Sequence, residues 1–408
     1  MSKTNKKDNN QNHLRIMYGI GGHGNGHITR SIYVAEYLQK NDCEIKILTF
    51  GQGSNYIRKY YPDYDFIDIS GFDLYYKKGA LRPYKTFYEF IRHIPIYLFK
   101  NFFIFLKVLL EFQPDIILSD FEPFTQILAK TLNIPLIGID NVVATIRPEK
   151  RPVKFISREL WFTNSTIRFF TRNAKHHFIL SFAPELIKIK KWETNITIVQ
   201  PIIRENVINK RKQVGDDDFI LVYQTSNSTI EQINDLTKTF STIKFIVYGL
   251  DVQNRKNVIK KQLSYTEFID DLSRCTGIVC NGGFSLISEA IYLKKPIFAM
   301  PIKGQYEQRV NGSFIAKKGY GVLNERFDVN KFGYFINNID EFRENLKNYY
   351  QIDNNDFLLE LKSVIQKVGK KRISPDYGRF YSRILNIWYV KLIVHISKKI
   401  SIYKNKTT

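Results

Sequence analysis

The chain has 408 residues, of which 44% are hydrophobic and 14% aromatic, so it can bury two cores and is too apolar for a disordered protein. Its 61 Lys and Arg residues outnumber 39 Asp and Glu residues, a net charge of +22 that favours anionic partners unless it only reflects a Lys-rich genome. Three cysteines, Cys43, Cys275 and Cys280, fit neither a disulfide framework nor a metal site, which indicates buried thiols in a reducing compartment.

The first half of the chain alternates apolar runs with helix-like segments. Residues 1–13 are polar, so we expect a disordered leader and no secretory signal. After them, a strand leads through a glycine loop into a segment with helical spacing of its apolar residues. The runs predicted to be strands are residues 14–20, 44–50, 66–69, 115–121 and 135–140. This alternation predicts a doubly wound parallel sheet.

The pattern restarts after a strand at 196–201 and a charged stretch at 209–218. Further strands are predicted at residues 219–225, 243–249 and 277–280, with a helix beginning near Asn227 and another at 266–275. We therefore predict an α/β protein of two doubly wound, Rossmann-like domains, residues 14–197 and 198–377. Two such domains facing each other form a cleft, which is a common ligand site.

The N-terminal loop contains Gly19-x-Gly21-x-x-Gly24, which superficially fits a dinucleotide-binding fingerprint. That fingerprint also requires an acidic residue at the end of the second strand. Here the second strand ends in Thr49 and Phe50, and we therefore reject NAD binding. The loop glycines Gly24 and Gly26 instead allow atoms of another molecule to approach closely.

His27 directly follows Gly26 at the start of the first helix. An imidazole, with an ordinary pKa of about 6.5, suits a general base near neutral pH. The alternative, equally weighted, is a histidine that packs or caps the helix. His23 is less well positioned and is interpreted as structural.

Asp120 ends the strand at 115–121, on the edge of the sheet where ligands gather. We hypothesise that Asp120 orients His27 and stabilises its imidazolium form. In the alternative interpretation, Asp120 or the nearby Glu122 caps the following helix.

Residues 281–311 combine features that can hold phosphate and hydroxyl groups. Gly282 and Gly283 lie between a strand and a helix, where free N–H groups and the helix dipole attract anions. Ser285 either bonds a diphosphate or caps that helix, and Glu289, one turn later, either accepts from ribose hydroxyls or simply faces solvent. Glu307 and Gln308, predicted in a polar turn, can bracket neighbouring sugar hydroxyls.

The segment GGFSLISEAIYLKKPIFAMPIKGQYEQRVN resembles the donor-binding half of GT-B glycosyltransferases, most closely the MurG-like enzymes of glycosyltransferase family 28 and a group of uncharacterised archaeal and bacterial transferases. The loop GNGHITRS resembles the first loop of the latter group. The resemblance covers most of residues 14–400.

This resemblance implies a role for each matching residue. Gly282, Gly283 and Ser285 would lie at the donor diphosphate and Glu289 at the ribose. The remaining residues are Glu307 and Gln308 at the transferred sugar, Asn311 supporting that loop, His27 as the base and Asp120 as its carboxylate partner.

The resemblance also implies that the final segment, 378–408, returns to pack on the first domain. One departure concerns the sugar pocket, because MurG-like enzymes carry Gln-Gln where this chain has Glu307-Gln308, so the sugar need not be N-acetylglucosamine. We expect no cofactor and no metal, since GT-B enzymes generally bind none tightly and the sequence has no Asp-x-Asp signature.

The sequence thus predicts a glycosyltransferase that moves a hexose-type sugar from a nucleotide sugar, most simply a UDP-sugar, to a hydroxyl of a lipid or cell-surface glycan. The alternatives are a nucleotide-sugar epimerase and a non-catalytic binding subunit. Nucleic-acid binding is not expected, because no zinc, helix-turn-helix or aromatic-platform module is found.

We expect a cytoplasmic protein, with peripheral attachment to an anionic membrane as an alternative to a purely soluble one. The two most apolar stretches, 94–112 and 384–396, are interrupted by lysines, so neither is expected to span a membrane. Their basic and aromatic residues suit a membrane surface, although helices packed on the protein are the simpler interpretation.

Overall fold

The computed structural model describes most of the chain, namely residues 14–369 except 78, 150–156, 172–173, 263 and 326. The strands are β1 (Leu14–Ile20), β2 (Cys43–Thr49), β3 (Phe66–Asp68), β4 (Tyr76–Lys77), β5 (Ala80–Leu81), β6 (Ile116–Asp120), β7 (Leu136–Asp140), β8 (His176–Leu180), β9 (Ile196–Val199), β10 (Asp217–Tyr223), β11 (Phe245–Tyr248), β12 (Val258–Lys261), β13 (Cys275–Cys280), β14 (Ile297–Ala299) and β15 (Gly321–Leu323).

The helices alternate with these strands. They are α1 (Asn25–Lys40), α2 (Gln52–Tyr60), α3 (Pro83–Glu111), α4 (Pro123–Leu132), α5 (Val142–Thr145), α6 (Ser157–Phe170), α7 (Glu205–Lys210), α8 (Ile230–Thr239), α9 (Tyr265–Arg274), α10 (Phe284–Tyr292), α11 (Tyr306–Lys318), α12 (Val329–Asn337), α13 (Ile339–Lys347) and α14 (Asn354–Gly369).

Two parallel sheets form the centres of two domains. The first has the strand order β3-β2-β1-β6-β7-β8-β9 and the second the order β12-β11-β10-β13-β14-β15. The order reverses direction between β1 and β6 and between β10 and β13, and such switch points open a crevice at the carboxyl ends of the strands. In the first sheet, Ile20 pairs with Asp120, which brings the end of β6 next to the loop that follows β1.

The predicted fold class, two doubly wound α/β domains, is confirmed by this topology. The sequence did not reveal β8, which begins with His176 and His177, or β12, whose residues are largely exposed. Strand β12 is the edge strand of its sheet, where burial imposes less of an apolar pattern, whereas β8 is largely buried and only its two leading histidines interrupt the apolar run. Cys275 and Cys280 are buried as expected, whereas Cys43 is partly exposed.

Helix α3 is the longest described helix, at 29 residues, and only one of its faces packs on the protein. Phe90, Phe105 and Leu109 from that face enter a core cluster with strand residues of the first sheet. By length and composition α3 is apolar enough to cross a membrane, contrary to the expectation that its lysines exclude this, and 22% of its most apolar window is buried. Core helices of soluble proteins pass the same test of length and composition, but those helices are mostly buried.

In the part of the chain that the structure describes, two segments cross between the domains, and these two crossings are hydrogen-bonded to each other. Asn354 at the start of α14 accepts from the Ile203 N–H at 3.0 Å and donates to the Ile203 carbonyl at 2.6 Å. Gln351 donates to the Pro201 carbonyl at 2.9 Å. Helix α14 then packs on the first domain, where Phe357 meets Phe178 edge to face. The segment 378–408, predicted to make this return, lies outside the described residues.

A small antiparallel hairpin, β4–β5, extends from the first domain to the second. The Leu81 N–H donates to the Lys303 carbonyl at 2.8 Å, and the Gln305 amide donates to the Tyr76 hydroxyl at 2.8 Å. The hairpin therefore bridges the domains at one side of the cleft.

Candidate active site

The loop between β1 and α1 forms the first-domain wall of the cleft. The Gly21 N–H donates to the Asp120 carbonyl at 2.9 Å, which fixes the loop on the end of β6. A side chain at Gly22 would collide with the Phe50 carbonyl, and Gly24 has a φ of 79°, a conformation that favours glycine. These glycines therefore serve the backbone path that presents His27 to the cleft.

His27 and Asp120, which the sequence analysis paired, lie in contact. The Nδ1 atom of His27 is 2.8 Å from Oδ1 of Asp120. The His27 side chain is 14% exposed and lines the cleft, whereas Asp120 is fully buried. Phe121 stacks on the imidazole with a ring separation of 6.3 Å.

Arg30, one turn after His27 on α1, completes this cluster. Its guanidinium donates to both carboxylate oxygens of Asp120, each at 2.6 Å, and to the Asn141 amide oxygen at 2.7 Å. The Ser31 hydroxyl also donates to Asp120, at 3.1 Å. The carboxylate of Asp120 thus accepts four hydrogen bonds within the first domain, including the one from His27.

Burial and charge act in opposite directions on Asp120. Burial alone would raise its pKa, but the Arg30 guanidinium and His27 lower the pKa to about 2. Asp120 is therefore ionised at neutral pH. Burial lowers the pKa of His23 to about 3, so His23 is neutral, and its ring packs edge-on against Phe50 and Phe72. This agrees with the structural interpretation of His23.

The capping alternative applies to Glu122 and not to Asp120. Glu122 is the residue before α4, and its carboxylate accepts from the Phe124 and Thr125 N–H groups at 2.9 and 2.6 Å. Asp120 is directed away from this helix, toward His27.

The opposite wall of the cleft is the turn between β13 and α10. Gly282 has a φ of 92°, and a side chain there would lie 2.8 Å from the Gln308 carbonyl. Gly283 precedes the first residue of α10, and a Cβ built on it meets no atom within 4 Å. Space for a ligand therefore lies directly above this helix N-terminus, whose first turn has no acidic residue.

The two walls touch at Gly26 and Ser285. A Cβ at Gly26 would lie 2.5 Å from the Ser285 hydroxyl oxygen, so only glycine allows this approach. The loop that carries His27 is consequently packed against the loop expected to hold the diphosphate.

Glu289 is buried and does not face solvent. Arg204, just after the first interdomain crossing, donates to its two carboxylate oxygens at 2.5 and 2.6 Å. Glu289 still lines the cleft, with its carboxylate plane fixed by this bidentate pair.

Glu307, Gln308 and Asn311 lie on α11, so the expectation of a polar turn for the first two is wrong: they form the first turn of a helix. Glu307 accepts from the Asn141 amide of the first domain at 2.8 Å. Gln308 accepts from the Ile302 N–H at 2.9 Å, and Asn311 donates to the Gly282 carbonyl at 3.1 Å. The structure thus gathers all the predicted site residues along one cleft, of about 1140 Å³, or directly behind its wall.

Comparison with known proteins identifies the family. Residues 14–340, about four fifths of the chain, match the family profile described as glycosyl transferase family 1. The chain belongs to glycosyl transferase family 1. It is therefore a glycosyltransferase, and its two-domain architecture is the GT-B fold.

Curated relatives of this glycosyltransferase are distant but nearly full-length. An uncharacterized glycosyltransferase of Methanopyrus kandleri is 19% identical over 305 residues, 70% of this chain and 85% of the relative. The UDP-N-acetylglucosamine–N-acetylmuramyl-(pentapeptide) pyrophosphoryl-undecaprenol N-acetylglucosamine transferase of Histophilus somni is 22% identical over 354 residues, 80% of this chain and 90% of the relative. These matches confirm the MurG-like resemblance.

Among solved structures, a UDP-glucosyltransferase from Polygonum tinctorium superimposes with a TM-score of 0.65. It covers 88% of this chain and 98% of its own, at 11% sequence identity. At this identity the similarity supports the fold of the glycosyltransferase and not its substrates.

Three residues of the glycosyltransferase cleft escaped sequence reasoning: Arg30, Asn141 and Arg204. Arg30 stands in the motif GHITR next to His27, and its spacing of three residues already places both on one helical face. Asn141 directly follows β7, just as Asp120 ends β6, so its position at the carboxyl end of a strand could have indicated a site residue. Arg204 has no local signal, because only the fold brings it to Glu289. No group of three or more metal-ligating side chains lies together in the part of the chain that the structure describes.

Proposed function

We propose that this glycosyltransferase moves a hexose-type sugar from a UDP-sugar to an acceptor hydroxyl of a lipid or glycan. The observation that carries the proposal is the contact between the two walls at Gly26 and Ser285. It sets a base, His27, across from a helix N-terminus suited to a diphosphate. A sugar attached to that diphosphate would have its reacting carbon between them.

His27 is proposed as the general base. Because Asp120 can only accept, the Nδ1 atom of His27 carries the proton that bonds it. The other ring nitrogen, Nε2, then keeps a lone pair that can take the proton of an acceptor hydroxyl. The oxygen attacks the anomeric carbon, the bond to the diphosphate breaks, and the nucleoside diphosphate leaves.

The second domain is proposed to hold the donor. Gly282, Gly283 and Ser285 would bind the diphosphate, and Glu289, fixed by Arg204, would accept from the ribose hydroxyls. Glu307 and Gln308 would bind the sugar. The side-chain oxygen of Gln308 accepts from the Ile302 N–H, so the side-chain N–H groups of Gln308 can donate to a sugar hydroxyl. The carboxylate of Glu307 can accept a hydrogen bond from another hydroxyl.

We further propose transfer without a bound metal. The developing charge on the leaving diphosphate would be stabilised by the N–H groups at the start of α10, where Gly283, Phe284 and Ser285 line the cleft. The wall of the first domain that would meet the acceptor includes a group of apolar side chains, namely Phe72, Leu74, Phe121 and Phe170.

A lipid acceptor at an anionic membrane surface fits this wall best. The outer face of α3 exposes large apolar side chains, among them Ile96, Phe99 and Phe103, beside the exposed Lys100 and Lys107. Pro83 and Thr86 of the same helix line the cleft. An apolar face with basic residues suits the interface of a membrane that contains anionic lipids. With α3 bound there, the hydroxyl of a membrane lipid could enter the cleft and reach His27. The relative from Histophilus somni is named for a pyrophosphoryl-undecaprenol substrate, which supports this class.

A thermal-shift panel of UDP, ADP, GDP, CDP and dTDP with the corresponding glucose conjugates tests the donor. UDP compounds at about 100 times their dissociation constant should add about 2.7 kcal/mol of stability. UDP release should then require an acceptor, supplied as octyl glucoside or as vesicles containing diacylglycerol or polyprenyl phosphate. No shift with any uridine compound refutes the donor assignment. Conversion of a UDP-sugar to its epimer without acceptor would instead indicate the isomerase, and nucleotide binding without turnover the non-catalytic subunit.

A further inference from the structure

Arg30 is a buried guanidinium that the proposed roles leave unexplained. It occupies the floor of the cleft, where it reaches Asp120, Asn141 and His27 at once. An arginine buried only for stability requires one carboxylate partner, whereas Arg30 bonds two different side chains and lies 2.7 Å from a third.

The contacts of Arg30 determine which ring nitrogen of His27 carries the proton. Arginine only donates and an ionised carboxylate only accepts, so the Nδ1 atom of His27 cannot satisfy both neighbours. Asp120, as the charged acceptor, accepts the hydrogen bond from the Nδ1–H group of His27, and the Nη2 atom of Arg30 donates to the same oxygen. The second bond from Arg30, to Oδ2, prevents the carboxylate from turning away. The arginine fork therefore fixes the carboxylate orientation that selects one tautomer of His27.

The other arm of Arg30 leads to the second domain. Its Nη1 atom donates to the side-chain oxygen Oδ1 of Asn141, so the side-chain nitrogen Nδ2 of Asn141 must face the other way. That nitrogen donates to Glu307, on α11 of the second domain. One guanidinium is thus connected to the base by one side chain and to the expected sugar pocket by another.

We propose that Arg30 is a positioning residue that selects the tautomer of His27 through Asp120 and holds Glu307 in place through Asn141. This inference rests on the proposed function for its catalytic consequence. The tautomer of His27 and the contacts of Arg30 with both Asp120 and Asn141 do not depend on which substrate is used.

Arg30→Lys separates this role from simple charge neutralisation. Lysine keeps the positive charge beside Asp120 but cannot bond both carboxylate oxygens and Asn141 together. Arg147→Lys is the matched control, because Arg147 forms a similar two-bond pair with Glu193 in the first domain, at 2.8 Å for each bond.

Two readouts apply to each variant. Long-range ¹H–¹⁵N spectra of ¹⁵N-histidine-labelled protein report the tautomer, with His27 assigned by His27→Gln. UDP release from UDP-glucose and UDP-N-acetylglucosamine, with water or octyl glucoside as acceptor, gives kcat and the KM of the donor. Thermal unfolding is recorded alongside.

We expect a single Nδ1–H tautomer in the wild-type protein and in Arg147→Lys, and a mixture of tautomers in Arg30→Lys. In Arg30→Lys, kcat should fall about tenfold or more, because a misoriented base loses part of its contribution, while the KM of the donor changes less than about threefold. A single wild-type tautomer with unchanged kcat in Arg30→Lys would overturn the proposal.

Asn141→Ala tests the second arm and serves if Arg30→Lys does not fold. It should keep the Nδ1–H tautomer yet lower kcat about fivefold or more through Glu307. Unchanged kcat in this variant would overturn the connection to the sugar pocket. If no UDP-sugar is turned over but the tautomer still shifts in Arg30→Lys, the proposed function fails and the positioning role remains. If sugar transfer occurs and the tautomer of His27 does not shift in Arg30→Lys, the proposed function remains and the positioning role of Arg30 fails.

Discussion

Replacing Arg204 by methionine tests the pair on which the expected ribose site depends. Methionine keeps much of the side-chain length but removes the charge and both donors. Glu289 is only 4% exposed and Arg204 17%, so Arg204→Met leaves a buried carboxylate without the guanidinium that fixes it. Breaking a buried pair from one side costs about 3–5 kcal/mol.

Because Arg204 retains some contact with solvent, we expect the lower end of that range, about 3 kcal/mol. For a domain of this size, such a loss corresponds to a fall in Tm of about 6–12 °C. The double variant Arg204→Met/Glu289→Gln should recover a large part of the loss, since it buries no uncompensated charge.

Thermal and urea unfolding of the two single variants and the double variant, with and without UDP, measure these differences. Without Arg204 the carboxylate plane of Glu289 is not fixed, so the stabilisation by UDP should also shrink. Arg147→Met is the control, because its pair with Glu193 is 23% and 21% exposed and should matter less. Equal stability of Arg204→Met and wild type, or a double variant no more stable than Arg204→Met, would refute this reasoning.

Four further predictions concern Asp120, metal and membrane. Asp120→Asn should lower kcat by about 100-fold or more while UDP still shifts Tm, as measured by UDP release; unchanged turnover would remove its role. The pKa of Asp120 is lowered from the ordinary value of 3.8 to about 2. The ionised carboxylate therefore stabilises the fold above pH 3.8, and this stabilisation is lost as the pH falls toward about 2. In acid unfolding curves, the wild type should lose stability over this pH window more steeply than Asp120→Asn. EDTA should leave UDP release unchanged, and a loss restored by Mg²⁺ would contradict metal-free transfer. In flotation assays the protein should bind vesicles with acidic lipid, less so in high salt and less with Phe103→Ser; no binding under any condition would exclude the membrane face.

The sequence predicted the parts of this fold that depend on local pattern. Buried parallel strands are continuous apolar runs, and the glycine loops after β1 and β13 stand out because their backbone positions exclude other residues. The closeness of His27 and Asp120 also followed, since Asp120 ends β6 and His27 follows the loop at the carboxyl end of the neighbouring strand β1.

What the sequence could not predict depends on partners far along the chain. Helix α11 is buried around most of its circumference and contains Gly312, so it shows no one-sided apolar stripe and its start was interpreted as a turn. Glu289 resembles a solvent-facing residue until the fold supplies Arg204. Asn141 gains its meaning only from Arg30 on one side and Glu307 on the other.

The double crossing between the domains has a consequence for how the chain acquires its structure during synthesis. The last strand of the first sheet ends at Val199, but α14, which covers that domain, ends only at Gly369. At about 5–20 residues per second, the ribosome needs on the order of ten to thirty seconds to make the intervening chain. Through that interval the surface that Phe357 will cover on Phe178 stays open. The first domain to emerge therefore keeps this apolar surface uncovered until α14 has been made, and transiently exposed apolar surface of this kind favours aggregation and chaperone binding.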